Sequence, residues 1–289
     1  MHMTTVKSSK KLYMKEILTI GLPVTLQSIF QASYSFVDQL MVGTLGTVSI
    51  AGSGLGAKFS SLVTFTLNAV AAVASILIAQ YHGTKDEKGI NKSFATCSLI
   101  AMVVALLFIL PGVFCPQLIM GIYSSEQDVI LVAASYLRII AISYLPMTAT
   151  LMLSALFRSV EKSKYPMYVS VLAIFANVFF NWLLIFGKWG CPKLGIIGAA
   201  LGTLISRTLE AALLIVILMR QNYKKEMSVK IAGLTDFRFY KKISVIVFPI
   251  LLNEFSWSVG ENIYAAIYGH LGKEEMAAMT LTNPLQGMF

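Results

Sequence analysis

Residues 21–46 read GLPVTLQSIFQASYSFVDQLMVGTLG, a stretch that is long enough to cross a bilayer and contains one charged residue, Asp38. Gln27, Gln31, Tyr34 and Asp38 recur at helical spacing, so they form one polar stripe opposite Leu, Ile, Phe and Val. A polar stripe that includes an acid is typical of the wall of a buried aqueous cavity. It also fits a helix end at which Asp38 reaches interfacial water, and the pattern alone leaves both interpretations open.

The composition of the whole chain indicates an all-α integral membrane protein. Of 289 residues, 56% are hydrophobic and 13% are charged, whereas a soluble domain has about 25% charged residues. The apolar runs predict six spans, a seventh span and the start of an eighth. Their approximate ranges are 17–42, 51–80, 93–115, 129–156, 167–186, 196–219, 243–268 and 275–289.

The basic residues predict how the chain lies in the membrane. Most of the 23 lysines and arginines fall in the N-terminal arm (residues 1–16), in the loops after the second and fourth spans, and in the connector at 220–242. Cytoplasmic loops are enriched in such residues, so we expect a multi-pass protein of the cell inner (cytoplasmic) membrane with a cytoplasmic N-terminus. This topology accounts for the formal net charge of +9 without a nucleic-acid partner.

The seventh span repeats the first one without a gap. The aligned residues are Pro23 with Pro249, Gly43 with Gly269, Leu45 with Leu271, Gly46 with Gly272, Ala51 with Ala277, and Leu55 with Leu281. An even number of spans separates the copies, so both cross in the same direction, as in the parallel repeats of some transporters. We therefore expect a complete six-helix N-lobe (17–219), the connector, and the start of a C-lobe (243–289). The chain would then be a truncated form of a twelve-span protein, unless the match is only a recurring packing motif.

Three segments resemble the MATE family of multidrug and toxic-compound extrusion transporters. They are VDQLMVGTLG at 37–46, NVFFNWLLIFGKWGCPKLGIIGAALGTLISR at 177–207, and YGHLG at 268–272. The resemblance implies an antiporter in which two six-helix lobes enclose a central cavity. Entry of a coupling ion, a proton or Na⁺, would drive the export of small organic cations, including drugs, across the cytoplasmic membrane.

The resemblance also implies roles for individual residues. Asp38 matches the acid in the first helix that is held to bind the coupling cation, and Asn177, Asn181 and Thr203 match positions that line the same site. Some members carry an acid at the position of Asn181. The candidate substrate cavity combines the matching Gln31 and Tyr34 with polar residues of the second and seventh spans, namely Asn68, Glu254 and Glu261.

The residue types support the same cation chemistry. Asn177 and Asn181 are four residues apart and share one helix face, and amide and hydroxyl oxygens suit a hard cation such as Na⁺. The alternative is that the two asparagines only make interhelical hydrogen bonds. We expect no other metal and no cofactor, because Cys97, Cys115 and Cys191 lack metal-ligand spacing.

Three other functions are considered. An enzyme is not expected, because the sequence has no H-E-x-x-H or G-x-S-x-G motif and no histidine deep in a span. A flippase for lipid-linked saccharides would need many basic residues in its cavity, and only Lys58, Arg138 and Arg207 fall within spans. The chain by itself could also be a transport-inactive fragment. We expect Lys58 to reach the membrane interface and Arg207 to pair with Glu210.

Overall fold

The computed structural model describes Gly21, Thr25 and residues 37–224 and 237–286, and these residues form helices and turns without a strand. Helix α1 occupies residues 37–43 and leads through a short turn into the next helix. The other helices are α2 (Thr47–Gly83), α3 (Glu87–Phe114), α4 (Pro116–Tyr123), α5 (Gln127–Ile142), α6 (Tyr144–Ser159), α7 (Lys164–Phe186), α8 (Ile196–Tyr223), α9 (Phe237–Leu271) and α10 (Lys273–Gln286).

Five of the described helices, α2, α3, α7, α8 and α9, are long and apolar enough to cross a membrane. A sixth span is formed if the bent pair α5 and α6 crosses as one unit. These helices correspond to the second to seventh predicted spans, so the all-α membrane class is confirmed. The predicted first span lies mostly outside the described residues.

The fourth predicted span is two helices that meet at an angle of 45°. Pro146 lies in the first turn of α6, and a proline there has no N–H and clashes with the carbonyl four residues earlier. That carbonyl belongs to Ile142, the last residue of α5. Ser143 lies between the helices, and its hydroxyl donates to the carbonyl of Ile140 at 2.7 Å. The bend therefore follows from the position of one proline.

Helix α2 is the central element of the fold. Of the five single-helix spans it has the most buried hydrophobic stretch, and it packs against α3, α5, α6, α9 and α10. The helices predicted to begin the second lobe, α9 and α10, thus lie directly on a helix of the predicted N-lobe. The exact division into lobes stays a prediction.

Helices α7 and α8 approach each other closely at two glycines. A Cβ atom on Gly198 would lie 2.6 Å from the backbone of Leu184, and one on Gly202 would meet the side chain of Asn181. Small residues at such spacing allow helix backbones in membranes to come together. The glycine-rich run at the start of α8 therefore presses that helix onto the face of α7 that carries the two asparagines.

The repeat found in the sequence has a structural counterpart. Gly46 lies between α1 and α2 with φ +96°, and Gly272 lies between α9 and α10 with φ +153°. Residues with side chains rarely adopt such angles, so both copies break their helix at the same glycine of the repeat. The shared break agrees with the repeat and also with a recurring packing motif, so the repeat stays a prediction.

Candidate functional site

Helix α7 places two asparagines in the protein interior. Asn177 is 2% exposed and Asn181 is fully buried. Their four-residue spacing puts both side chains on the face that α8 covers. Buried amides need hydrogen-bond partners, and the neighbouring helices α1 and α8 supply most of them.

A chain of hydrogen bonds runs from α1 through α7 to α8. The Nδ2 atom of Asn181 donates to Oδ1 of Asp38 at 2.5 Å and to Oδ1 of Asn177 at 2.8 Å. Asn177 Nδ2 in turn donates to Oγ of Ser206 at 3.0 Å and to Oγ1 of Thr203 at 3.3 Å. The structure thus brings together the four residues predicted to form the cation site, on the consecutive helices α7 and α8 and on α1, which is distant from them in sequence.

One oxygen in this network has no hydrogen-bond partner among the residues that the structure describes. Oδ1 of Asn181 is buried and accepts no hydrogen bond among the described residues. An unsatisfied buried acceptor costs about 1–3 kcal/mol, and it lies on the amide that bonds Asp38. A carboxylate and an unpaired amide oxygen on adjacent side chains are donors suited to a small hard cation. These oxygens are of the type that Na⁺ prefers, the carboxylate can also take a proton, and the identity of the coupling ion stays a prediction.

Arg207 and Glu210 each hydrogen-bond to a neighbouring helix, and in the described part of the chain they interact through their charges without a direct ion pair. Nη1 of Arg207 donates to Oγ of Ser143 at 2.9 Å, at the bend between α5 and α6. Glu210 accepts from the hydroxyl of Ser170 in α7 at 2.6 Å. Within a span both groups gain more from buried partners on packed helices than from pairing along one helix surface.

The candidate cavity residues lie apart from the hydrogen-bond chain. Asn68 is exposed on α2, and Glu254 and Glu261 are half-buried on α9. Gln31 and Tyr34 lie outside the described residues. The structure therefore separates the predicted sites into one buried cluster on α1, α7 and α8 and a second group on α2 and α9.

Lys58 is buried against α9, and its position relative to the membrane interface stays a prediction. Helix α2 extends back to Thr47, so Lys58 lies about three turns inside α2 and is 8% exposed. Its Nζ atom lies 3.7 Å from Oε2 of Glu261 in α9. A buried ammonium requires a counter-charge, and a carboxylate that was predicted to belong to the cavity provides it.

Three polar contacts between helices were not predicted from the sequence. Ser206 joins the asparagine network, and its place three residues after Thr203 was a usable indication. Ser143 and the Tyr123–Asn262 hydrogen bond, 2.9 Å long, had no local indication because their partners lie far along the chain. Across the described residues, no cluster of three His, Cys, Asp or Glu side chains could hold a metal ion.

Membrane-length helices around a half-buried carboxylate and two buried amides define a multi-pass membrane protein. The chain belongs to the MatE family, whose model matches residues 23–183. The resemblance drawn from the sequence is thereby confirmed. Because members of this family are transporters, the prediction that the protein is not an enzyme is confirmed as well.

Two curated relatives carry the name "Probable multidrug resistance protein NorM". The one from Halalkalibacterium halodurans is 28% identical over 79% of this chain and 48% of its own length. The one from Thermotoga maritima is 26% identical over 91% of this chain and 56% of its own length. The chain thus spans about half the length of these relatives.

A solved structure described as a crystal structure of MATE in the bent conformation shares the fold. It superposes with a TM-score of 0.76 over 95% of this chain and 62% of its own, at 18% sequence identity. The likeness supports the helical arrangement, and the roles of individual residues stay predictions.

Proposed function

We propose that the protein acts in cation-coupled export of small organic molecules, organic cations in particular, with a proton or Na⁺ as the coupling ion. The observation that carries this proposal is the cluster of Asp38, Asn177, Asn181 and Thr203, in which one amide oxygen accepts no hydrogen bond from the described part of the chain. The names of the relatives support multidrug efflux as the activity. The basic loops support a place in the cytoplasmic membrane with the N-terminus inside.

The coupling step rests on the charge of Asp38. A charged acid within a span costs free energy, up to about 2.5–3.5 kcal/mol at the span centre on insertion scales. Asp38 lies nearer the end of its predicted span, and binding of a cation at the carboxylate offsets part of that cost. A proton would occupy Asp38 itself, and Na⁺ would also draw on the oxygen of Asn181. Either event removes a negative charge to which the Asn181 amide donates. We propose that α1 then shifts relative to α7 and α8.

The substrate cavity in this proposal lies on the other group of polar residues. Glu254 and Glu261 attract a cationic substrate, Asn68 lies on the adjoining helix, and Gln31 and Tyr34 are assigned to the same cavity. The aromatic side chains of α9 supply adaptable apolar contacts for varied molecules. The lobe that α9 and α10 are predicted to begin would supply the far wall.

One alternative, a flippase for lipid-linked saccharides, is less well supported. Its cavity would need free positive charges for a pyrophosphate group. Two of the three basic residues within spans are engaged by protein partners, Arg207 with Ser143 and Lys58 with Glu261. Only Arg138, on the exposed face of α5, has no such contact among the described residues.

The decisive experiment measures cation binding before transport. The purified chain in detergent is titrated with Na⁺ and its thermal unfolding is followed, because a ligand at 100 times its Kd stabilises by about 2.7 kcal/mol. We expect Na⁺ or acid to stabilise the wild type, Asp38→Asn to remove the effect, and Glu87→Gln, at an exposed acid, to retain it. Efflux of a cationic dye from proteoliposomes under a proton or Na⁺ gradient is then compared for the same variants. Cation responses that are equal in Asp38→Asn and the wild type would refute the proposal.

A further inference from the structure

The two side chains of the ion pair between Lys58 and Glu261 differ in their solvent exposure. The Lys58 side chain is 9% exposed and the Glu261 side chain is 42% exposed. The lysine therefore has a buried ammonium group whose only ionic partner in the described part of the chain is this glutamate. The carboxylate, by contrast, keeps an open side from which another cation can approach.

Contacts on both sides of this pair hold α9 against the rest of the molecule. Asn262 accepts a hydrogen bond from the hydroxyl of Tyr123 at 2.9 Å. Earlier in α9, the rings of Trp257 and Phe65 meet edge to face with centroids 5.0 Å apart. Because neighbouring contacts fix α9, Glu261 stays within reach of Lys58 when no ligand is bound.

We propose that Lys58 is a tethered cation that competes with cationic substrates for Glu261 and thereby determines which of them bind. The inference rests on the proposed export of organic cations. A cation that binds Glu261 must displace the Lys58 ammonium and leave it buried without its partner, and uncompensated buried charges are costly. Small hydrophilic cations cannot offset this cost, whereas bulky apolar cations add contacts with the aromatic side chains nearby.

A competing lysine and a purely structural ion pair predict opposite effects of Lys58 removal on ligand affinity. A structural pair predicts that loss of either partner weakens ligand binding through loosened packing. A competitor predicts opposite effects, because loss of Lys58 frees a carboxylate while loss of Glu261 removes the binding group. The two explanations therefore separate in a double-mutant cycle.

The first test measures the binding of two permanently charged probes, tetraphenylphosphonium and tetramethylammonium, to the purified chain. We expect Lys58→Met to tighten tetramethylammonium binding on the order of tenfold and to reduce the preference for tetraphenylphosphonium. Glu261→Gln should weaken both probes, and the double variant should match Glu261→Gln alone. Lys273→Met is the control, since Lys273 pairs with Glu126 and Asp128 on the surface. Unchanged or weaker binding in Lys58→Met, or no cation binding in any variant, overturns the inference.

The second test needs no variant. In the wild type, acylation of lysines is mapped by mass spectrometry with and without saturating tetraphenylphosphonium. Displacement from Glu261 should raise the reactivity of Lys58 several-fold while that of Lys273 stays constant. If Lys58 stays unreactive at saturation, the inference is wrong. Loss of the Asp38-dependent response to Na⁺ would instead count against the proposed function, so the two failures are distinguishable.

Discussion

Gly202 of α8 packs so closely on Asn181 of α7 that an added Cβ atom would lie 2.1 Å from the amide oxygen Oδ1. This is the oxygen that accepts no hydrogen bond in the described structure. The absence of a side chain at one residue of α8 therefore gives the amide its place beside Asp38.

Gly202→Ala should destabilise the protein and disturb the cation site together. Forcing a methyl group into a packed interior costs about 1–3 kcal/mol, and Asn181 would have to move. Thermal unfolding with and without Na⁺ measures both effects. Gly121→Ala serves as the control, because a Cβ atom at that residue of α4 meets nothing within 4 Å. An unchanged Na⁺ response in Gly202→Ala would show that the position of Asn181 does not matter for binding.

Asn181→Asp should strengthen the dependence on cations. The substitution places a second carboxylate against Asp38, and like charges at this distance favour a shared proton or a bound cation. We expect a steeper gain in unfolding temperature with Na⁺ or acid than in the wild type. Asn253→Asp adds the same charge at an exposed position of α9 and should leave the response as it was.

Ser143→Ala should destabilise the protein by removing a contact between α8 and the bend of α5 and α6. The hydroxyl accepts a hydrogen bond from Arg207, and leaving a charged donor unpaired costs about 1.5–3 kcal/mol. Differential scanning calorimetry of this variant and of Ser135→Ala measures the loss of stability. Ser135 is an apt control because it lies exposed on α5 and bonds only to its own helix. Equal losses in the two variants would mean that the bond from Arg207 adds no stability.

The burial of the Tyr123 hydroxyl, which donates to Asn262, makes the stability depend on pH in the alkaline range. Burial raises the pKa of Tyr123, in the short helix α4, to about 12, whereas in the unfolded chain the pKa is about 10. Because the raised folded pKa favours the protonated form, the associated stability is complete below about pH 10 and declines as the pH rises toward 12.

Tyr123→Phe should therefore be less stable than the wild type at neutral pH, by about 1–3 kcal/mol for the acceptor left on Asn262. The difference should shrink between about pH 10 and 12. Unfolding measured across this range tests the expectation, with Tyr264→Phe, at an exposed position of α9, as the reference. A gap that stays constant to pH 12 would contradict it.

The positions of the membrane spans could be predicted from the sequence, because apolar runs of about twenty residues rarely form anything but membrane helices in a chain of this composition. It also grouped Asp38, Asn177, Asn181 and Thr203, although their grouping came from family resemblance, since residue spacing relates Asn177 to Asn181 alone. The bend at Ser143 could have been predicted, because Pro146 removes the backbone hydrogen bond to the carbonyl four residues earlier.

The partners of the charged residues could not be predicted in the same way. Lys58 pairs with Glu261 and Arg207 bonds Ser143, and each pair joins helices far apart in sequence. Helical spacing describes neighbours on one helix, and it therefore favoured Glu210 for Arg207. Which side chains meet across two helices depends on their packing, for which the small residues of α8 gave only a general indication.

The edge-to-face contact of Trp257 with Phe65 has a practical consequence for spectroscopy. The chain has three tryptophans, and the other two, Trp182 and Trp189, contact each other near the turn between α7 and α8. Replacing those two with phenylalanine would leave a single indole at the junction of α9 with α2. Its fluorescence emission would then report, in real time and without an attached label, whether α9 and α2 are in contact or separated.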